Sequence, residues 1–252
     1  KEVLICNGID FEDEQHTEDL ILNADVVMKS PGIPEKAPIV KKLIEKGIPV
    51  ISEIEFAAPF TKAITIGITG SNGKTTTTML TYHLLQSAGL NVGLGGNIGK
   101  SFAWQVADDT FDSYVLELSS FQLDGIKDYK PHIAIITNIS PDHLDRYDYK
   151  YENYIDSKFR ITMNQTEEDY LIYDADDEAI DEWLKKNKTK AKLIPFSLTK
   201  TFSEGAFIKN NIMEVSINQE EFKMDTESIA LEGKHNMKNA MAATSVAKLM
   251  QI

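Results

Sequence analysis

The chain of 252 residues holds one cysteine, two tryptophans and eight prolines, and its basic residues are outnumbered by acidic ones, 26 to 39. Each shortage excludes something. With Cys6 alone there is no internal disulfide framework, and the chain suits a reducing compartment. Within the strand-like run "EVLIC", Cys6 reads as a small buried hydrophobe. A net charge of −13 removes any broad attraction to nucleic acid or to an anionic membrane, so a phosphate group has to be bound here by local geometry. No run approaches the roughly 20 apolar residues of a membrane span. The chain does not open on a basic segment followed by an apolar one, and it reads as cytoplasmic. It opens on Lys1 without an initiator methionine and stops at Ile252 just after a helical pattern, so both ends read as cut from something longer.

What is present is an α/β alternation. With 42% hydrophobic and 26% charged residues, the chain can build one large core or two small ones. "KEVLICN", "ADVVMKS" and "GIPVIS" read as strands, and "APIVKKLIEKG" as a helix with Gly47 just past its end. "EFAAPFTK", with Pro59, reads as a connection and puts a domain boundary near residue 60. A second series follows: strand "KAITIGIT", helix "KTTTTMLTYHLLQSAG" ending at Gly89, strands "SYVLELS" and "HIAIITN", and helix "YENYIDSKFRITMNQ". Strands "DYLIYDA" and "KLIPFS" accompany helix "DEAIDEWLKKN". Continuous Val/Ile/Leu runs of this kind suit a parallel sheet covered on both faces. Residues 204–231 change to short alternating segments around "KNN", the pattern of a small antiparallel hairpin region, and "HNMKNAMAATSVAKLM" closes the chain as a helix.

Between the strand "KAITIGIT" and its helix stands Gly70-Ser71-Asn72-Gly73-Lys74-Thr75. Strand, glycine-bearing loop, lysine-threonine pair and helix in this order are what a phosphate loop requires. Backbone N–H groups turn inward, the helix N-terminus faces the anion, Lys74 reaches the terminal phosphates and Thr75 ligates magnesium. The strict motif has a glycine five residues before Gly73, where Ile68 stands, so the loop is a variant. Glu117 ends the apolar strand "YVLE", a place where a carboxylate can hold the nucleotide's magnesium. The strand "IAIITN" leads into "ISPDHLDRY", bringing Asp142, His143 and Asp145 to the same sheet edge. Imidazole beside carboxylate suits a second metal or an anchored substrate, and equally an ordinary turn or helix cap. The expected fold is α/β: a partial Rossmann-like N-terminal domain over residues 1–60, then a P-loop-type, mostly parallel-sheet ATPase domain over residues 61–252 with a small antiparallel β region.

"TGSNGKTTT", "GGNIG", "LELSSFQLD", "NISPDHLDRY", "SKFR" and "EGKHNMKNAMAA", in this order and spacing, resemble the Mur ligase family of peptidoglycan synthesis over nearly the whole chain, from about Ser30 to Ala243. Such enzymes join an amino acid to a carboxylate of a UDP-muramoyl substrate through an acyl phosphate made with ATP. The resemblance implies UDP-N-acetylmuramoyl-L-alanine as substrate and, from "LELSSFQLD", D-glutamate as the incoming amino acid. It gives ATP contacts to Gly70, Ser71, Asn72, Gly73, Lys74, Thr75 and Thr76, with Asn236 and Asn239 on the adenine side. Thr75 and Glu117 hold a first magnesium; His143 and Lys158 serve a second, with Lys158 carrying a carbamate. From residue types alone, Lys158 reads as a surface lysine on a helix. Substrate contacts fall to Asn97, Ser119 and His143, with Ser30 and Gly32 touching the uridine diphosphate. The implied protein is a cytoplasmic monomer with no nucleic-acid or membrane partner. His16, His83, His132 and His235 match no catalytic position.

Two departures from the family pattern stand out. The first domain lacks its opening strand and glycine-rich turn, and no third domain, the one that takes the amino acid, is visible in the sequence. The expectation is that these residues by themselves bind nucleotide weakly and catalyse poorly. Other readings are a ligase of the same build adding L-alanine, a diamino acid or glutamate to folate, and a nucleotide-dependent switch in which His143 and Lys158 hold no metal.

Overall fold

The structure is a computed structural model and describes residues 1–108, 110–229 and 233–252. The first part of the chain runs α1 (Glu2–Cys6), α2 (Glu18–Ile21), β1 (Val27–Met28), α3 (Pro38–Glu45), β2 (Val50–Ile51) and α4 (Glu53–Ala57). β1 and β2 form a two-stranded parallel sheet, pairing Val27 with Val50. Gly47 follows α3 at φ 72°, the left-handed conformation that closes a helix C-terminus at no steric cost to glycine.

Two expectations fail here. "EVLIC" is helix α1, with no buried residue, and Cys6 is exposed. No neighbouring strand pairs with this segment among the described residues, so its backbone polar groups are met within a helical turn. "EFAAPFTK" is also not a plain connection. Ser52 caps α4 by accepting from the Glu55 N–H, and a 3₁₀ turn, Ala58–Phe60, follows. The buried Glu55 carboxylate accepts from the backbone N–H groups of Lys127, Asp128 and Tyr129, each at 2.9 Å, tying α4 to the segment before residues 133–136, a strand of the larger sheet.

The remaining elements are β3 (Ile64–Thr69), α5 (Lys74–Ser87), β4 (Val92–Gly96), α6 (Phe102–Asp108), β5 (Ser113–Glu117), α7 (Ser120–Asp124), β6 (Ile133–Ile136), α8 (Tyr151–Phe159), β7 (Tyr170–Asp174), α9 (Glu178–Lys186), β8 (Lys192–Ser197), β9 (Gly205–Lys209), β10 (Ile212–Ile217), β11 (Glu220–Asp225) and α10 (Lys234–Leu249). They build a nine-stranded sheet in the order β11-β10-β9-β8-β7-β6-β3-β5-β4. From β4 to β9 every neighbouring pair is parallel, and β9, β10 and β11 form an antiparallel meander. Its two turns, Asn210-Asn211 and Asn218-Gln219, put both residues at positive φ, as a tight hairpin twisting with its strands requires. The end of the expected hairpin region, residues 230 and 231, lies outside the described residues, as does Glu232 of the "EGKHNMKNAMAA" motif.

Alternation along the strands sorts the core. Tyr114, Leu116, Ala134 and Ile136 face one layer with Phe102 of α6, Leu123 of α7, Tyr154 of α8 and Ile180 of α9. Val115, Ile133 and Ile135 face the other, with Leu85 of α5 and Met241, Ala242 and Val246 of α10. After β3 the chain crosses to the edge strand β4, returns as β5 on one side of β3, then places β6 on the other. The strand order therefore reverses at β3, and the crevice at the C-terminal ends of β3, β5 and β6 is where an open α/β sheet binds ligands.

Candidate active site

The phosphate-type loop fills that crevice. Gly73 caps α5 in the left-handed conformation, and no side chain caps the helix, so its first N–H groups are left facing outward. The loop is braced by the segment after β6. Asn138 accepts from the Ser71 N–H through its carbonyl (2.8 Å) and from the Asn72 N–H through its side chain (2.9 Å), while Thr137 Oγ1 donates to the Asn72 carbonyl (2.7 Å). Lys74 curls back, its Nζ donating to the Gly70 and Ser71 carbonyls at 2.9 Å each. Burial lowers its pKa. Gly70 sits at φ 149°, and a Cβ there would stand 2.0 Å from Thr137 Oγ1. Gly70→Ala is therefore expected to cost roughly 3 kcal/mol, read as a lowered denaturant midpoint at unchanged slope; an unaltered midpoint would show that the loop gives way freely.

Glu117 is 2% exposed, with both carboxylate oxygens engaged: Thr75 Oγ1 donates to one at 2.7 Å and Asn97 Nδ2 to the other at 2.8 Å. β5 delivers Glu117 opposite Ile68 of β3 and Gly96 of β4. Asn97 is held again by its own N–H, which donates to the Glu117 carbonyl at 2.8 Å. Thr76 follows in the first turn of α5.

Lys158 is not on the surface. It is 2% exposed, its Nζ donates to the Gly70 carbonyl at 2.9 Å and lies 4.5 Å from the Tyr154 ring centroid. Burial first, then the positive charge of Lys74, brings its pKa down to about 7. His143 takes φ 49°, a left-handed conformation uncommon outside glycine, at the head of the 3₁₀ turn Leu144–Arg146. Its N–H donates to Asp142 Oδ1 at 2.9 Å, and its ring lies 5.3 Å from that of Phe121.

Lys74, Asn97, Ser119, His143 and Lys158 meet around one cavity of about 310 Å³, which Gly32 and Asp142 also line. Ser30 is exposed and does not line it. Asp145 is separated from Asp142 and His143 and faces a neighbouring cavity of about 480 Å³. Asn239 lies across the loop: its Oδ1 accepts from Thr77 Oγ1 (3.1 Å), and its Nδ2 donates to Asn236 Oδ1 (3.4 Å). Sequence reasoning missed the bracing residues Thr137, Asn138 and Ser140, the last exchanging hydrogen bonds with Ser71 Oγ through its carbonyl and its N–H at 2.9 Å each; their signal was the polar Thr, Asn and Ser of "TNIS" directly behind an apolar strand. It also missed Lys238, whose Nζ pairs with Asp174 at 2.7 Å and Asp176 at 3.3 Å, fixing the start of α10 to the end of β7.

The larger cavity holds Asp124, whose carboxyl burial lifts to about 6 while the Tyr147 hydroxyl donates to it at 2.9 Å. Because the folded value lies above the ordinary 3.8, the folded state binds more protons across roughly pH 4 to 6, so stability falls as pH rises through that window. Asp124→Asn is expected to flatten this slope and to raise the melting temperature at pH 7.5. A variant that keeps the slope would place its origin elsewhere.

The chain belongs to the Mur ligase family, whose middle domain matches residues 68–247. Over 252 residues it is 62% identical to a UDP-N-acetylmuramoylalanine--D-glutamate ligase of Christiangramia forsetii, covering 100% of this chain and 57% of that protein. Over 253 aligned residues it is 53% identical to the protein of the same name in Bacteroides thetaiotaomicron, covering 100% of this chain and 56% of the relative. The chain thus spans somewhat over half the length of the curated relatives it matches. Among solved structures, a UDP-N-acetylmuramate:L-alanyl-gamma-D-glutamyl-meso-diaminopimelate ligase from Neisseria meningitides superposes with a TM-score of 0.64 at 18% identity, over 100% of this chain and 82% of that one, a likeness of fold. No helix among the described residues is long and apolar enough to cross a membrane.

Proposed function

We propose that this chain is the nucleotide-handling part of a cytoplasmic, monomeric ligase that uses ATP to add D-glutamate to UDP-N-acetylmuramoyl-L-alanine in peptidoglycan precursor synthesis. The observation that carries the reading is the uncapped N-terminus of α5 at the reversal of strand order, with Lys74 and Thr75 in its first turn, Glu117 bonded to Thr75 from the end of β5, and buried Lys158 behind them. The 62% identity to a relative bearing that ligase's name supports the choice of amino acid. Membership of a ligase family favours bond formation over a nucleotide switch. In this reading residues 1–60 belong to the UDP-substrate unit and residues 61–252 to the ATP unit.

The reaction has to bring two anions together. A substrate carboxylate oxygen attacks the γ-phosphorus, the bond from that phosphorus to the bridging oxygen breaks, and ADP leaves. The amine nitrogen then attacks the acyl carbon, the acyl carbon–oxygen bond breaks, phosphate departs and the amine gives up its proton. Lys74 turns from the Gly70 and Ser71 carbonyls to the phosphate oxygens, and the free N–H groups at the start of α5 offset the remaining charge. The Thr75 hydroxyl and Glu117 carboxylate, two hard oxygen donors 2.7 Å apart, fit magnesium and would hold it. An ion held there would supply positive charge against the β- and γ-phosphates. His143 and Lys158 would hold a second magnesium. As an ammonium Lys158 has no lone pair to offer, but a pKa near 7 exposes the free amine, and amine plus carbon dioxide gives a carbamate and a proton. The carbamate is an anionic oxygen ligand. Asn97 and Ser119 orient the muramoyl-alanine, Ser30 and Gly32 meet the uridine diphosphate, and Asn236 and Asn239 face the adenine.

Phosphate release by the full-length protein, with ATP, magnesium and UDP-N-acetylmuramoyl-L-alanine, tests this across D-glutamate, L-alanine, L-lysine and diaminopimelate. Release that requires D-glutamate is expected. Release with another amino acid moves the protein to a different ligase step, and release indifferent to every acceptor contradicts bond formation.

A further inference from the structure

Arg146 ends the turn that begins at His143 and reaches back across the site to the first part of the chain. Its Nη2 donates to the Pro31 carbonyl at 3.3 Å and its Nη1 to the Gly32 carbonyl at 3.4 Å. Its guanidinium carbon lies 4.3 Å from the centroid of the Phe121 ring. Among the described residues it forms no ion pair with a carboxylate. Among the described residues its guanidinium meets two neutral oxygens of one turn and, from a separate part of the site, one ring.

Phe121 links Arg146 to the rest of the site. It stands in the first turn of α7, directly after Ser119 and Ser120, and lines both the 310 Å³ cavity beside the phosphate loop and the neighbouring one of 480 Å³. One neighbour of its ring is the His143 imidazole at 5.3 Å; another is Tyr147, stacked at 6.2 Å with 13° between planes. Tyr147 in turn meets Tyr154 edge-on at 5.4 Å, and the Tyr154 ring carries Lys158. A continuous set of rings therefore runs from Arg146 to Lys158, while the guanidinium holds the 31–32 turn that forms another part of the same cavity wall.

We propose that Arg146 is a positioning residue, which fixes the Pro31–Gly32 turn and, through Phe121, the His143 imidazole, and so sets where a nucleotide-linked carboxylate substrate ends relative to the phosphate loop. This deepens the ligase reading and rests on it. The planar guanidinium can serve two carbonyls at its edge and one ring on its face at once; a lysine ammonium cannot. ATP binding uses the loop and the start of α5, neither of which Arg146 touches, so its loss separates the two substrates.

The test compares Arg146→Lys and Arg146→Met in the full-length protein by steady-state kinetics and by amide hydrogen exchange. Expected for both variants is a KM for the UDP-linked substrate raised about 10-fold, a kcat lowered up to about 10²-fold, and a KM for ATP within about 2-fold of wild type, as misplacement of one reactant predicts. Exchange of the Ile33 amide, which donates to the Ser30 carbonyl at 3.0 Å in the wild type, should quicken about 10-fold at an unchanged melting temperature. An unchanged KM for the UDP-linked substrate overturns the proposal, as does an equal rise for ATP or full rescue by lysine. A wild-type protein that releases no phosphate with the UDP-linked substrate overturns the ligase reading instead, and the exchange rates then decide alone whether Arg146 holds the turn.

Discussion

Lys158→Met is expected to lower ligase turnover by about 10³-fold or more while leaving the folded protein at least as stable as the wild type. Buried cations without a carboxylate partner are costly to hold in the folded state, and Lys158 is 2% exposed with a carbonyl and an aromatic ring as its partners. Methionine has similar length and no charge to desolvate. The folded pKa of Lys158, about 7, lies below the ordinary 10.5, so between these values the unfolded state binds more protons and wild-type stability rises with pH. The cost of the charge is complete below pH 7. The methionine variant should therefore gain most at pH 6 and little near pH 10, which thermal melts at the two values measure. Loss of more than about 2 kcal/mol at pH 6 would show that the ammonium is a structural pillar instead.

Glu117→Gln carries the second large effect. Glutamine keeps the shape, accepts from Asn97 and donates to the Thr75 hydroxyl, so the network around the wild-type carboxylate, with partners at 2.7 and 2.8 Å, can reform. What is lost is the negative charge that suits magnesium. Stability should stay within about 1 kcal/mol of the wild type, and magnesium-dependent turnover should fall by about 10² to 10³. Titration with ATP separates the causes: affinity without magnesium should be unchanged, and the gain on adding magnesium should shrink. If nucleotide affinity collapses with and without magnesium alike, Glu117 supports the loop's fold and not its metal.

The elements easiest to read from the sequence were those whose signal is local. The apolar run of β3 followed by glycine, lysine and threonine fixed strand, loop and helix together, because few other arrangements satisfy that pattern. The Asn210-Asn211 turn was legible for the same reason, since residues that tolerate positive φ mark a tight hairpin. β4 was missed because three of its five residues are glycine, which reads as a turn. The sheet needs them: a Cβ on Gly93 would stand 2.7 Å from the Tyr114 ring. α7 was missed despite a capping signal, Ser119 with Gln122 three residues on, whose reciprocal bonds are formed. "EVLIC" went wrong because an apolar run this short is ambiguous between strand and helix until its neighbours are known. Lys158 was beyond any local reading. Nothing in "SKFR" says that helix α8 turns its lysine inward beneath Gly70; only the resemblance assigned it a role. The bracing of Ser71 and Asn72 by Asn138 joins residues 66 and 67 positions apart, a relation that arises only once β3 and β6 lie side by side.

In the proposed reaction a substrate carboxylate is activated by phosphoryl transfer at the α5 N-terminus. This activation is tested most directly by following an oxygen atom. With UDP-N-acetylmuramoyl-L-alanine labelled by ¹⁸O in its alanine carboxylate, the full-length protein turning over ATP and D-glutamate should release phosphate carrying one labelled oxygen per amide formed, because the attacking oxygen leaves with the phosphorus. Unlabelled phosphate alongside amide product would mean that ATP is hydrolysed by water and the carboxylate activated by another route, which contradicts the account.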